Sequence, residues 1–124
     1  MSSRKFIFFK LIDTPEELLP FIGENETIKF AAKTFRDVAV VTDKRLLIAD
    51  KQGITGKKIE YYTIPYKSIV TYAVETVGTF DIDSEIKLVL TGGLEIELCF
   101  REDKILQKEK LFETYRAITD YLIK

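Results

Sequence analysis

Asp81, Asp83 and Glu85 alternate along the chain, so an extended segment would project three carboxylates to one side, offering the oxygen donors that Ca²⁺ or Mg²⁺ prefers. Calcium takes roughly six to eight oxygens, and the segment lacks the glycine and distal glutamate of an EF-hand loop. A solvated stretch leading into a strand is the stronger reading, and no metal is expected. The sequence contains no histidine and a single cysteine. That removes the commonest general base, the Ser-His and Cys-His nucleophile pairs and the commonest zinc ligand. Strand alternation puts Cys99 on the face opposite Leu98 and Phe100, beside Glu97 and Arg101, where it reads as a small strand residue and not a nucleophile. Gly53 and Gly56 hint at a phosphate loop, but no Gly-Lys-Ser/Thr follows and no helix starts there, so a hairpin loop is expected. Neither an enzymatic activity nor a cofactor is expected.

What remains is surface. Lys29, Lys33 and Arg36, with Lys57 and Lys58 further on, are candidate contacts for an anion or a lipid headgroup, although Asp37 follows Arg36 at once. Lysine and arginine number 19 against 20 acidic residues, so the net charge of −1 gives no general attraction to nucleic acid or to an anionic membrane. No nucleic-acid partner is expected, and membrane contact would need a local patch. Val38, Val40 and Val41, then Leu46, Leu47 and Ile48, put bulky apolar groups on both faces of two successive strands. One face enters the core. The other needs a cover: the Phe6-Ile7-Phe8-Phe9 run, a short first helix, or a second copy of the chain. Val38, Val40, Leu47 and Tyr62 are therefore candidate self-association residues, with Tyr61, Tyr66 and Tyr72 as further interface-type material.

The elements that position these groups follow from periodicity. A chain of 124 residues and 14.3 kDa is one domain with one core. The Phe6 to Phe9 run is broken by Lys10 and Asp13, too short for a signal peptide or a membrane span. With one unpaired cysteine, this leads us to expect a cytoplasmic protein. Residues 1–23 read as an arm and a short helix, with Thr14 as cap, Pro15 at the first helical position, Glu17 completing a capping box and Gly23 ending it. Seven strands are expected over 27–34, 36–42, 45–50, 58–64, 69–76, 84–90 and 94–101. In the last hairpin a two-residue turn would pair Leu90 with Glu95 and bury carboxylates. The three-residue loop Thr91-Gly92-Gly93 instead pairs Leu90 with Leu94 and Leu88 with Ile96, setting Lys87 opposite Glu97. After Asp103, a candidate N-cap, Leu111, Tyr115, Ile118 and Leu122 have helical spacing.

Three stretches carry a resemblance. Val41-Thr42-Asp43-Lys44-Arg45-Leu46-Leu47, the segment Lys51-Gln52-Gly53-Ile54-Thr55-Gly56-Lys57-Lys58, and 75–85 from Glu75 to Glu85 resemble the bacterial pleckstrin-homology (PH) family. The resemblance runs from about Glu24 to the C-terminus, marking 24–124 as the PH-like domain. It implies a mainly β, α+β fold: a bent seven-stranded antiparallel sheet or partly open barrel capped by the C-terminal helix. It also implies homo-oligomeric, ring-like assembly and no catalytic motif. The functional expectation is a non-catalytic module that self-associates, with peripheral membrane or anionic lipid-headgroup binding as the alternative.

Overall fold

The last hairpin obeys its alternation. Leu88 stands opposite Ile96 and Lys87 opposite Glu97, and the Leu90 N–H donates to the Leu94 carbonyl at 2.8 Å. Gly92 and Gly93 both adopt positive φ, 95° and 92°, conformations that side-chain-bearing residues rarely take. The three-residue loop is thus what keeps four apolar side chains on the inner face of both strands. This computed structural model describes residues 3–52, 57–77 and 79–123, and their side chains except at 52, 77 and 79–83. Gly53 and Gly56 lie outside the described residues, as do the side chains of Asp81 and Asp83.

The described chain forms β1 (Ser3–Phe8), β2 (Lys10–Ile12), a short 3-10 helix (Glu16–Phe21), β3 (Ile28–Lys33), β4 (Val38–Thr42), β5 (Arg45–Gln52) and β6 (Lys58–Pro65). A 3-10 turn (Tyr66–Ser68) leads to β7 (Ile69–Val77), β8 (Thr79–Leu90), β9 (Glu95–Phe100), a π-helical turn (Leu106–Lys110) and α1 (Leu111–Leu122). Two sheets result, ordered β1-β9-β8-β7 and β2-β3-β4-β5-β6, in place of one bent seven-stranded sheet. The class is as expected, mainly β and closed by a C-terminal helix, and the barrel is not closed.

The two strands beyond the expected seven come from the arm. β1 lies parallel to β9, with Phe6 opposite Leu98 and Phe8 opposite Phe100. At Phe8 and Phe9 the chain changes sheets: the Arg101 N–H still donates to the Phe8 carbonyl at 2.9 Å, whereas the Phe9 N–H already donates to the Lys33 carbonyl at 3.1 Å. β2 then runs antiparallel to β3. Phe6 and Phe8 are buried in the main core with Val41, Ile48, Leu98 and Phe100, and burying each stabilises the fold by roughly 2–3 kcal/mol. Phe8 meets Phe100 edge-on at a ring separation of 5.1 Å. Arg4 fastens the other end of β1, bonding Asp50 at 2.8 Å while its guanidinium lies 4.2 Å over the Tyr62 ring.

The first helix differs from its expected form. Pro15 is its N-cap and no side chain caps it, so the Thr14 capping box does not form. A 3-10 segment of six residues with Pro20 inside offers fewer open amides to cap. At the C-terminal end Asp103 does cap: its Oδ1 accepts the Ile105 N–H at 2.8 Å and the Leu106 N–H at 3.3 Å. The helical region then opens on the π-helical turn before α1, whose buried Leu111 and Ile118 close the core.

Candidate functional site

The outer face of the five-stranded sheet is the one for which the arm, the first helix and a second copy were the candidate covers. Ala31, Val40 and Leu47 form a second apolar cluster there, and Leu18 of the 3-10 helix closes it, with Ile12 and Ile22 at its rim. Val40 and Leu47 are fully buried and Val38 is half-buried. This corrects the expectation for these residues: their own chain covers them. Tyr62 is also reassigned, because its partner across the ladder is Ile48, which places both on the main-core side.

A carboxylate clamp holds that cover down. Glu26 accepts two hydrogen bonds from Arg45, Nε to Oε2 at 2.8 Å and Nη2 to Oε1 at 2.9 Å, together with the Thr42 hydroxyl at 2.7 Å and the Gly23 N–H at 2.9 Å. Arg45 also donates to the Phe21 carbonyl, the last residue of the 3-10 helix. Burial alone would raise the Glu26 carboxyl, but the bonds from Arg45, Gly23 and Thr42 outweigh it and hold it at about 2. Tyr66 completes the corner from the core side, donating to the Thr42 carbonyl at 2.7 Å, and burial raises its phenol.

Among the described residues each sheet has two edge strands, β1 and β7 in one and β2 and β6 in the other. β6 ends the five-stranded sheet and β7 ends the four-stranded one. The Tyr66 N–H donates to the Lys44 carbonyl at 3.0 Å, which sets the phase of the β5–β6 ladder. Residues in step with Tyr66 bond to β5, and the N–H groups of Ile59, Tyr61 and Thr63 point to the open side. Exposed Leu19, Phe21, Ile59 and Tyr61 flank this edge, and Phe21 stacks on Tyr61 at 4.3 Å. The exposed pair of aromatics is visible only once the 3-10 helix is placed beside β6.

The structure divides the candidate cations. Lys29 lies at the far end of the sheet, beside a cleft of about 300 Å³ shared with Asp43, Lys44 and Asp120, whose carboxylates suit an anion poorly. Lys33, Arg36, Lys57 and Lys58 gather at the opposite end, on the β3–β4 and β5–β6 hairpins, and all are exposed. Asp37 ties those hairpins together by accepting the Lys51 N–H at 2.9 Å. Burial raises its carboxyl, with Asp50 adding to the effect against the Lys51 bond.

On the outer face of the four-stranded sheet, Glu85, Glu97 and Cys99 bring one donor atom each within 4.8 Å of one another. Cys99 is buried and its thiol donates to Glu85 Oε2 at 3.4 Å. Burial, with Glu85 next to it, pushes the thiol up to about 11. A protonated thiol is neither nucleophile nor metal ligand. The Lys5 ammonium, 4.0 Å from Glu97, and Lys87, opposite Glu97 on β8, supply the countercharge.

The model of the bacterial PH domain matches residues 4–122, which takes in all of β1 but its first residue and nearly all of the described chain. The chain belongs to the bacterial PH-domain family. Similar proteins include the uncharacterized protein YjqA of Bacillus subtilis (strain 168), 54% identical over 78 residues, which are 63% of this chain and 62% of YjqA. The chain thus spans less than two thirds of that relative's length. Among solved structures, a DUF1696 family protein with a pleckstrin-homology domain from Shewanella loihica PV-4 superposes with a TM-score of 0.69 at 37% identity, covering 91% of this chain and 97% of that one. A pleckstrin homology domain from Shewanella amazonensis SB2B gives 0.55 at 42% identity, covering 87% and 84%. This PH domain has no helix, among its described residues, long and apolar enough to cross a membrane.

Proposed function

We propose that this PH domain is a non-catalytic, cytoplasmic interaction module that self-associates by pairing open strand edges of neighbouring copies. The observation that carries the reading is two of the four edge strands: β6 with outward N–H groups at Ile59, Tyr61 and Thr63, and β7 ending the other sheet with nine residues. An edge of this length is a template for another strand. Joining β6 of one copy to β7 of the next is a head-to-tail contact, and repeating it closes a ring when the rotation permits. The Leu19, Phe21, Ile59 and Tyr61 patch supplies apolar area beside the β6 edge. A sequence without histidine and a buried, protonated Cys99 support a role without catalysis.

Light scattering behind size exclusion tests the reading. The wild type is expected at a multiple of 14.3 kDa. Ile59→Pro removes one outward N–H and no hydrogen bond to β5, and should return the mass to that of the monomer while the thermal midpoint stays within a few degrees. A wild type that stays monomeric at high micromolar concentration sinks the proposal.

A further inference from the structure

The hydrogen-bond phase of β7 decides which of its faces a neighbouring copy would share. The Leu90 N–H donates to the Leu94 carbonyl across the last hairpin, so β8 residues in step with Leu90 bond toward β9. Glu85, Lys87 and Val89 therefore bond toward β7, where they meet Glu75, Ala73 and Thr71. The N–H groups left on the open side of β7 are those of Tyr72 and Val74, whose side chains pack on the main core. On β6 the faces are reversed. Ile59, Tyr61 and Thr63 have the open N–H groups, and their side chains share the outer face with Leu47 and Ala49.

Directly opposite residues of an antiparallel pair point to the same side of the sheet. Antiparallel pairing is the commoner kind and the more stable per residue. When β6 of one copy meets β7 of the next in this way, the outer face of one five-stranded sheet continues into the core face of the neighbour's four-stranded sheet. The 3-10 helix lies on the first of these faces and α1 on the second, so the two come side by side over the seam.

Both carry apolar groups suited to that meeting. Phe21, at the end of the 3-10 helix, stacks on Tyr61 at 4.3 Å, and Leu19 beside it is exposed. On α1 the flank toward β7 is marked by Tyr72, whose ring lies 5.1 Å from that of Tyr115 and whose hydroxyl is 2.8 Å from Thr119 Oγ1. Leu122 shares that flank by helical spacing from Tyr115 and Thr119, and Ile123 after it is 66% exposed.

We propose that the C-terminal end of α1, through Leu122 and Ile123, seats on the Leu19, Phe21 and Tyr61 patch of the neighbouring copy. The inference rests on the self-association proposed above and adds the side-chain contact that selects the partner. Main-chain bonds along a strand edge give affinity for many strands; an apolar helix end fitted to an aromatic pair confines this edge to a second copy of the chain.

The test is light scattering on the full chain carrying Phe21→Asp or Ile123→Asp. Each places a carboxylate in the contact and should lower the mass to 14.3 kDa at micromolar concentrations where the wild type is assembled. Because the contact is head-to-tail, an equimolar mixture of the two variants should form a species of about twice that mass. Ile123 of the first variant then meets the intact Phe21 of the second, and the remaining ends stay blocked. The mixed species also certifies that both variants are folded. Phe35→Asp, at an exposed position on the β3–β4 hairpin, should leave the assembly intact. If Ile59→Pro dissociates the assembly while Phe21→Asp and Ile123→Asp do not, self-association stands and this contact is overturned. A mixture that stays at the monomer mass overturns it as well, and a wild type that is monomeric at high micromolar concentration overturns both readings.

Discussion

Phe8→Ala should destabilise the domain by roughly 3–5 kcal/mol, the usual cost of truncating a fully buried phenylalanine. Phe8 has no exposed surface, meets Phe100 edge-on, and sits where β1 leaves β9 for the other sheet. Little can collapse into the space, because both neighbouring backbones are fixed by hydrogen bonds from Arg101 and Phe9. In urea the transition midpoint should fall sharply with little change in slope. Phe35→Ala is the control, expected within about 0.5 kcal/mol of wild type because that ring touches mainly solvent. A Phe8→Ala midpoint equal to wild type would mean that the arm is not part of the core. By the same reasoning, a chain begun at Glu24 loses Phe6, Phe8 and Leu18 and should not fold cooperatively.

The second large effect is pH-dependent and belongs to Glu26. Its folded value of about 2 lies below the ordinary 4.5, so the clamp's contribution is complete above about 4.5 and is lost as the pH falls toward 2. At 1.36 kcal/mol for each unit, the difference is about 3 kcal/mol. Glu26→Gln removes the charge and leaves Arg45 unmatched under the 3-10 helix. The variant should be about 3 kcal/mol less stable than wild type at pH 7, and the two should converge near pH 2. Denaturant titrations at pH 7, 4.5 and 2.5 make the comparison. A gap that stays constant across them would mean that packing, not charge, holds the clamp.

The parts of this fold legible in the sequence are those set by short-range period. Leu88 and Leu90 could face Ile96 and Leu94 in only one register without burying Glu95, so the hairpin was determined before any contact was seen. Leu111, Ile118 and Leu122 announced the helix in the same way. The arm was not legible, because Phe6-Ile7-Phe8-Phe9 has no period of its own and becomes strand only by pairing with β9, far along the chain. The same separation hid the cover over Val40 and Leu47: arm, helix and second copy were all candidates until Leu18 was placed. Adjacency also misled. Lys29 and Lys33 are four strand steps apart, about 13 Å, which puts them at different ends of the sheet.

The parallel pairing of β1 with β9 also sets a schedule for folding. Ser3 waits for Glu95, roughly 90 positions later, so the core cannot close around Phe6 and Phe8 until β9 has been made. At the roughly 5–20 residues per second of synthesis, that interval is on the order of 5–20 s. During it, two aromatic core residues have no strand to pair with, and such high contact order slows the final step. A nascent chain of this protein therefore carries the aromatics of β1 well before it has the strand that buries them.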